Sequence, residues 1–359
     1  MAITKIQSQT APLISFAIPT HNFGKYITET VKSIYDGTLY LNPLDIEVVI
    51  LDGGSTDKTE EIISSLSKHY VNIKYKKNSH RGGIDRDLDE VAEIATGKYI
   101  WLFSADDTLS HGWDVHFKKA IMNDPEIVLV PAMLCSLNMR SIRPNPIFSV
   151  KNKKTIIEWA FDVKGTGVDN YLKSSKTLEA LFGFLSAIIV KSNFWNSLSK
   201  REDYYGTCWA HCARLMPVFG RKSNINYISE IIINKRSEND SFMENGLINR
   251  ISIAVDGWSR IIEEFFENES YKRILYARLR RDVSISLFLY AKITARNTAE
   301  RTQLDRLAKR QYLSSCITAQ SIFSYALYLV FPSNRLVLNL VNRNMAVLKK
   351  IRNKIRGIL

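Results

Sequence analysis

Three groups of polar residues in the first third of the chain have the types and spacing that could bind a charged ligand. Thr20–Asn22 follow one apolar segment, Asp52–Ser55 follow a second, and Asp106 and Asp107 follow a third. Two adjacent carboxylates can coordinate a hard divalent cation, which would neutralise a diphosphate that the carboxylates alone would repel. Asp52 could accept hydrogen bonds from a base or a ribose. The alternative for each aspartate is a structural role, in which it caps a helix or shapes a turn.

Three apolar segments have to position those polar groups, and each has the composition of a buried β-strand. The segments are Leu13–Pro19, Ile46–Leu51 and Tyr99–Phe103, and stretches of helical composition separate them. This alternation predicts an α/β fold with a mostly parallel sheet. Ligands of such sheets bind outside the carboxyl ends of the strands, so the polar groups should converge on one edge. Further along, residues 164–176 have the composition of a polar loop and residues 182–190 that of a returning strand.

The composition is that of a folded chain with an uneven distribution of charge. Of 359 residues, 45% are hydrophobic and 24% are charged, which provides apolar surface for a core and excludes a disordered chain. The chain carries 49 Lys and Arg against 36 Asp and Glu, a net charge of +13. Residues 1–110 carry 11 basic and 15 acidic residues, a net charge of −4, so the remainder carries +17.

Several classes of function are disfavoured by what the sequence lacks. Neither a G-x-G-x-x-G fingerprint nor a G-x-x-x-x-G-K-[ST] loop is present, which disfavours a Rossmann dehydrogenase and a P-loop enzyme. No nucleic acid is expected as a partner, because no recognised motif is present and the basic C-terminus has few aromatic residues. Cys208, His211 and Cys212 have no matching second pair, which predicts buried thiols and no zinc. Residues 1–12 lack the apolar stretch of a secretory signal, so we expect a cytoplasmic protein.

The strand ends also carry a family resemblance. In order and spacing, Leu13–Asn22, Val48–Asp57 and Ala95–Asp107 are similar to the successive signatures of family 2 glycosyltransferases, which have the GT-A fold. Within that family, Gly82–Asp87 and Gly206–His211 are most similar to abequosyltransferase-type enzymes of O-antigen assembly. The resemblance implies a Rossmann-like, mostly parallel sheet flanked by helices and followed by a helical C-terminal region.

The resemblance also implies a division of the chain. Residues 1–245 would form the GT-A domain, with a nucleotide-sugar-binding half in residues 13–130 and an acceptor half in residues 131–245. Residues 246–333 would form the helical region. Residues 334–359 would form a basic amphipathic helix that associates with a membrane.

Family membership would assign roles to the polar residues of the edge. The implied cofactor is Mg²⁺ or Mn²⁺, held by Asp106 and Asp107 on the diphosphate of the donor. The family commonly has Ala-Arg-Asn in the helix after the Gly-Gly loop, whereas an ungapped comparison places Asp87–Asp89 here. The usual phosphate-binding arginine is therefore missing; Arg86 or Arg81 could replace it, or both are solvated loop charges. The implied nucleotide-sugar contacts are Pro19, Thr20, Asn22, Asp52, Gly54, Asp85, Arg86 and Asp106.

Inverting transfer also needs a base, which removes the proton of the acceptor hydroxyl as its oxygen attacks the anomeric carbon. The family's base is a carboxylate some distance beyond the metal-binding element, and Asp203 and Glu202 lie roughly there. His211, on a helix predicted over Thr207–Met216, is a third candidate for the base or for acceptor binding. The alternative for His211 is a buried structural residue.

The C-terminus has the composition of a membrane-surface element. Residues 334–359 contain seven basic residues and no acidic residue, and a helix there would place apolar residues on one side. Such a helix binds the interface of an anionic membrane. The alternative is a helix packed on its own domain or on a second subunit. Residues 311–334 carry no charge over 24 residues, but their polar content and Pro332 favour a buried or interface-lying helix over a membrane span.

The residues and the resemblance together predict an inverting, metal-dependent glycosyltransferase of O-antigen or polysaccharide biosynthesis. The expected donor is a nucleotide diphosphate sugar, with a CDP-linked dideoxyhexose such as abequose favoured, and the expected acceptor is a polyprenyl-diphosphate-linked oligosaccharide. The protein would lie peripherally on the inner face of the cytoplasmic membrane, and a homo-oligomer is left open. The alternative is a catalytically inactive GT-A-like protein that binds a nucleotide sugar or serves as a scaffold.

Overall fold

The structure, a computed structural model, describes residues 11–149 and 154–331. Two β-sheets form the centre of this part of the chain, and helices flank them. The strands are β1 (Ile14–Thr20), β2 (Ile46–Asp52), β3 (Ile73–Lys77), β4 (Tyr99–Leu102), β5 (Thr108–Leu109), β6 (Ile127–Leu129), β7 (Ala132–Cys135), β8 (Ser141–Asn145), β9 (Ile156–Phe161), β10 (Ile188–Lys191), β11 (Ser223–Ile228) and β12 (Ile233–Arg236). The helices are α1 (Gly24–Tyr35), α2 (Thr59–Leu66), α3 (Ile84–Ile94), α4 (Trp113–Ala120), α5 (Val168–Ser174), α6 (Ser192–Asn196), α7 (Ala210–Leu215), α8 (Leu247–Phe265), α9 (Glu269–Asp282), α10 (Ile285–Thr294), α11 (Thr298–Lys309) and α12 (Ala319–Val330).

The larger sheet has eight strands in the order β3-β2-β1-β4-β10-β6-β11-β9. Strands β3, β2, β1 and β4 are parallel neighbours, whereas β10 runs antiparallel between β4 and β6. Every residue of β1 and β2 is buried, in agreement with their continuous apolar sequences. In this register Thr20 pairs with Asp52, so the carboxyl ends of β1 and β2 lie side by side. The predicted convergence of these strand ends on one edge is confirmed.

A smaller sheet brings a later part of the chain to the same region. Its order is β5-β12-β7-β8, with β12 antiparallel to β5 and parallel to β7. Because β5 begins directly after Asp107, β12 runs beside the segment that carries the aspartate pair. The sequence pattern does not predict β12, since Ile233 is the one strongly apolar residue in this four-residue strand.

Two segments within residues 131–245 differ from the sequence-based expectation. The predicted loop at residues 164–176 contains α5, because Val168, Tyr171 and Leu172 recur at helical spacing and are all buried. The strand predicted over residues 182–190 begins only at Ile188, after short 3₁₀ turns.

The helices from α8 onward pack on the preceding part of the chain. The ring centroid of Trp258 on α8 lies 4.4 Å from that of Trp209. Trp209 Nε1 donates a hydrogen bond to the carbonyl of Ile253 at 2.8 Å. A Cβ atom at Gly257 would lie 2.1 Å from the Trp209 ring, so this close approach requires glycine.

Helix α12 turns apolar side chains outward. Its buried residues are Ser321 and Tyr328. No helix among the described residues has the length and hydropathy needed to cross a membrane. The predicted basic helix over residues 334–359 lies outside the described residues. The exposed apolar side chains of α12 are Ile322, Phe323, Leu329 and Val330.

Candidate active site

The loops after β1 and β2 are tied together at the edge of the sheet. The backbone N–H of Asn22 donates to Ser55 Oγ at 2.8 Å, and Asn22 Oδ1 accepts from the backbone N–H of Thr56 at 2.8 Å. Asn22 has a positive φ of 59°, a conformation that asparagine tolerates better than most residues. Thr20 is buried, and its Oγ1 has no hydrogen-bond partner among the described residues. The Thr20 hydroxyl therefore lacks a partner that a ligand could supply.

Asp52 is fully buried at the end of β2 and is held by the protein itself. Its Oδ1 accepts from the backbone N–H of Ser55 at 2.7 Å, and its Oδ2 accepts from the Tyr75 hydroxyl at 2.8 Å. The first of these bonds closes the turn that contains Gly54, whose φ of +79° favours glycine. The geometry therefore gives Asp52 a turn-shaping role, and its contact with a nucleotide stays a prediction.

Asp106 and Asp107 lie together after β4, as expected, but their environments differ. Asp106 accepts hydrogen bonds from Ser104 Oγ and from Asn239 Nδ2. Asp107 is 2% exposed and accepts from Ser186 Oγ at 2.6 Å and from the backbone N–H of Arg236 at 2.9 Å. Burial, and then the neighbouring charge of Asp106, raise the pKa of Asp107 to about 7. The geometry favours Asp106, which is 8% exposed, as the residue that meets a ligand.

Arg236 and Asn239 complete this site from the end of β12. Arg236 Nε donates to the carbonyl of Asp106 at 3.0 Å, and its guanidinium lies 4.6 Å from the ring centroid of Tyr26. Sequence reasoning missed both residues. The available signal was the polar run after Arg236, which resembles the polar runs after β1, β2 and β4.

A further carboxylate missed by the sequence analysis, Asp240, lies next to Asn239 in the chain. Asp240 Oδ2 accepts from Arg250 Nε at 2.8 Å, and Asp240 Oδ1 accepts from the backbone N–H of Phe242 at 2.8 Å. Asp240 is thus one residue along the chain from the side chain that contacts Asp106.

Asp85, a predicted nucleotide contact, holds the segment that leads into α7. Its Oδ2 accepts from the backbone N–H groups of Gly206 and Cys208, each at 2.9 Å, and its Oδ1 accepts from that of Ala210 at 3.0 Å. The side chain is buried, so each oxygen is used within the protein. These bonds form a structural link between α3 and the segment that leads into α7, and the contact of Asp85 with a nucleotide stays a prediction.

Arg86 is exposed at the start of α3, and its guanidinium lies 5.2 Å from the ring centroid of Tyr205. The Tyr205 hydroxyl donates to Asp89 Oδ2 at 2.7 Å, and Asp89 forms a buried ion pair with Arg214 at 2.6 Å. These contacts also join α3 to α7. Arg86 therefore keeps an exposed charge at the same end of α3 as the Gly-Gly loop.

The predicted bases receive little support from their surroundings. Asp203 is exposed and paired with Arg201 at 2.8 Å and Arg260 at 2.6 Å, and the Arg201 hydrogen bond lowers the pKa of Asp203. A carboxylate held as an anion by two arginines is a poor proton acceptor. Glu202 is exposed on the same short 3₁₀ turn. His211 is buried, with Nε2 donating to the carbonyl of Phe182 at 3.1 Å, which fits the structural alternative.

The predicted metal can be tested against these side chains. No group of three or more His, Cys, Asp or Glu residues within 11–149 and 154–331 is arranged to hold a metal ion. Mg²⁺ in nucleotide enzymes is usually bound by one or two carboxylates together with substrate phosphates. Asp106 fits that pattern as a single protein ligand, with Asp107 behind it.

Comparisons with known proteins identify relatives over most of the chain. A family model described as glycosyl transferase family 2 matches residues 15–174. Abequosyltransferase RfbV of Salmonella typhimurium is 31% identical over 264 residues, which is 73% of this chain and 78% of that protein.

Solved structures resemble the fold. S. aureus TarS 1-349 in complex with UDP-GlcNAc has a TM-score of 0.60 at 18% identity, covering 83% of this chain and 80% of that one. A mannosyltransferase from Pyrobaculum calidifontis in complex with GDP-Man and Mn²⁺ has a TM-score of 0.50 at 16% identity, covering 89% and 88%. At such identities the likeness shows the fold, and it confirms the predicted GT-A α/β architecture.

Proposed function

The chain belongs to glycosyltransferase family 2, and from that membership we propose that it moves a sugar from a nucleotide diphosphate sugar to an acceptor hydroxyl with inversion. The observation that carries the proposal is the 31% identity to an abequosyltransferase over 78% of that relative's length. The proposed sugar is a dideoxyhexose such as abequose, and the proposed acceptor is a lipid-linked oligosaccharide of O-antigen assembly.

The proposed donor site is the edge formed by the ends of β1, β2 and β4. The unpartnered hydroxyl of Thr20 would contact the nucleoside, and the exposed guanidinium of Arg86 would lie toward the diphosphate. Asp106 would hold Mg²⁺ or Mn²⁺, with Asp107 fixing the loop behind it. The ion would stabilise the negative charge of the departing diphosphate.

The acceptor would approach from the side built by β12 and the segment after it. Asn239 orients Asp106, and Asp240 with Arg250 lies beside it in the chain. Asp240 therefore joins Asp203, Glu202 and His211 as a candidate for the base. Asp240 is itself paired with Arg250, but its place next to a residue that touches Asp106 favours it over Asp203, which is paired with both Arg201 and Arg260.

A membrane-surface location is part of the proposal, because a lipid-linked acceptor lies there. Helix α12 exposes Phe323 and Val330, and the uncharged segment from residue 311 leads toward the basic residues 334–359. Apolar side chains inserted at the lipid interface and basic residues on anionic headgroups act together in such binding.

The test is release of nucleotide from CDP-, UDP-, GDP- and dTDP-sugars, with and without Mn²⁺ and with a lipid-linked acceptor. We expect acceptor-dependent release from one donor, the CDP-sugar, and loss of release on chelation of the metal. Binding of a nucleotide sugar with no transfer under any of these conditions would instead favour the scaffold alternative.

A further inference from the structure

Two buried polar atoms without partners lie at the donor edge of the sheet. They are Thr20 Oγ1 at the end of β1 and Asp87 Oδ1 in the first turn of α3, and each residue is 5% exposed. Neither atom has a hydrogen-bond partner among the residues that the structure describes. Burying a polar atom without a partner costs free energy, so such atoms call for an explanation.

Both residues border Gly53, the first residue after β2. The backbone N–H of Gly53 donates to the Thr20 carbonyl at 2.9 Å. A Cβ atom at Gly53 would lie 3.1 Å from Asp87 Oδ2 and 3.6 Å from the Thr20 carbonyl oxygen. A Cβ atom at Gly82 would lie 2.5 Å from Asp87 Oδ1. The absence of side chains at both glycines therefore makes room for the Asp87 carboxylate beside the ends of β1 and β2.

The environment of Asp87 leaves its Oδ1 atom able to accept a further hydrogen bond. Burial, and then the charge of Glu90, raise the pKa of Asp87, whereas the Gly82 N–H and the charges of Arg81 and His21 oppose that shift. Asp87 thus differs from Asp85 and Asp89 on the same helix, because their carboxylates are bound to α7 and the segment before it. Asp87 is the carboxylate of α3 that faces the donor edge.

We infer that Asp87 accepts a hydrogen bond from the nucleoside of the donor, with the Thr20 hydroxyl as a second contact. This inference rests on the proposed function. An ionised carboxylate accepts from an N–H or O–H group and repels a carbonyl oxygen. It would favour the amino group of cytosine over the carbonyl at the same position of uracil, or it would bind a ribose hydroxyl in any nucleotide.

The test measures the dissociation constants of CDP, UDP and GDP with Mg²⁺ by calorimetry. Asp87→Ala should weaken the best-bound nucleotide tenfold or more, and Asp87→Asn, which keeps one acceptor oxygen, should restore part of that loss. Glu93→Ala is the matched control, since it removes a carboxylate from the same helix whose ion-pair partner is Lys200 at 2.5 Å. Its affinities should stay within twofold of those of the unmodified protein.

Two further arms identify the group that is bound and separate binding from folding. A loss that differs among the three nucleotides would assign the contact to the base, and an equal loss, matched by deoxyribonucleotides on the unmodified protein, would assign it to the ribose. Thr20→Val should keep or raise the melting temperature of the free protein, because it removes an unpartnered hydroxyl, while it lowers nucleotide affinity. This variant also covers the case in which the Asp87 variants fail to fold.

The outcomes distinguish this inference from the proposed function. If the unmodified protein binds nucleotides and the Asp87 and Thr20 variants bind them equally well, the inference is overturned and the proposed function stands. If the unmodified protein binds none of the nucleotides, both are overturned.

Discussion

The adjacent residues Asp106 and Asp107 have different hydrogen-bond partners, and we expect different roles for them. Asp107 has both oxygens in hydrogen bonds from Ser186 and Arg236, in a fully enclosed position. Asp106 receives its bonds from the side chains of Ser104 and Asn239, which can rearrange around a ligand more easily than a backbone N–H can. A side chain that is oriented by other side chains is the better candidate for contact with a metal and a diphosphate.

Asp106→Asn should abolish transfer while the protein stays folded. The substitution removes the charge that would hold the cation, and loss of such an electrostatic contact costs about 10²–10³ in kcat. Asp169→Asn is the matched control, since it makes the same change on a solvent-accessible carboxylate whose partner is Lys173, and it should lower kcat/KM by less than about threefold and stability by at most about 1 kcal/mol. A fully active Asp106→Asn enzyme would contradict the metal role, and an equal loss of activity in Asp169→Asn would show that the loss is not specific to Asp106.

The buried imidazole of His211 should make the protein less stable in mild acid. Burial lowers the pKa of His211, so the folded protein holds it neutral while the unfolded chain takes up a proton below its ordinary pKa of about 6.5. Stability should therefore be fully present above that pH and decline as the pH falls through it. Melting temperatures of the unmodified protein and of His211→Gln, measured from pH 7.5 to 5.5, should show a smaller decline for the variant; equal declines would count against this assignment.

At the scale of elements, α3 contacts two separate parts of the chain. Its first turn places Asp87 beside Gly53 at the end of β2, while Asp85 holds the segment that leads into α7. The residues of that segment include two with positive φ, Gly206 at 84° and Cys208 at 71°, and the Asp85 carboxylate fixes this irregular backbone. The link between α3 and α7 thus depends on one buried side chain.

Asp85→Ala should lower the free energy of unfolding by about 2–4 kcal/mol, because three backbone N–H groups lose their charged acceptor. Asp85→Asn should cost less, since its amide oxygen can still accept. Asp169→Ala, which removes an exposed aspartate paired with Lys173 on α5, should cost less than about 1 kcal/mol. Urea denaturation of the three variants provides the comparison, and an Asp85→Ala protein as stable as Asp169→Ala would rule out the proposed anchor.

The sequence predicted β1, β2 and β4 and the edge where they end, because strands buried on both faces leave continuous apolar segments. It did not predict β12, whose four residues depend on neighbours in space and carry little pattern of their own. The same limit applies to the site. Spacing located Thr20, Asp52 and Asp106 on one edge, but only side-chain packing shows which oxygen atoms are already bonded within the protein.

At the scale of the whole molecule, acidic and basic residues are concentrated in different parts of the chain. Residues 1–110 carry a net charge of −4, and the remainder carries +17. The acidic part, residues 1–110, contains the ends of β1, β2 and β4, where we expect a cation to mediate diphosphate binding. The described chain ends with α12 and its outward apolar side chains, just before the basic residues. This order supports a membrane contact that is remote in sequence from the donor edge.

Removal of residues 334–359 should release the protein from vesicles that contain anionic lipid, because seven basic residues are lost. Phe323→Asp, which places a charge on the exposed face of α12, should weaken binding to the same vesicles without changing the melting temperature. Sedimentation with anionic and neutral vesicles measures both effects. Unchanged sedimentation of the truncated protein would contradict the membrane role of this segment.

The Asp85 contact also limits which segments related enzymes could exchange by recombination. The carboxylate belongs to residues 13–130 and the three amides belong to residues 131–245, so these two segments are not independent modules. A chimera that joins the first half of this chain to the second half of a relative would work only if the relative's backbone presents its amides at the same place. Recombination that changes the acceptor is thereby constrained to partners with a matching turn before α7.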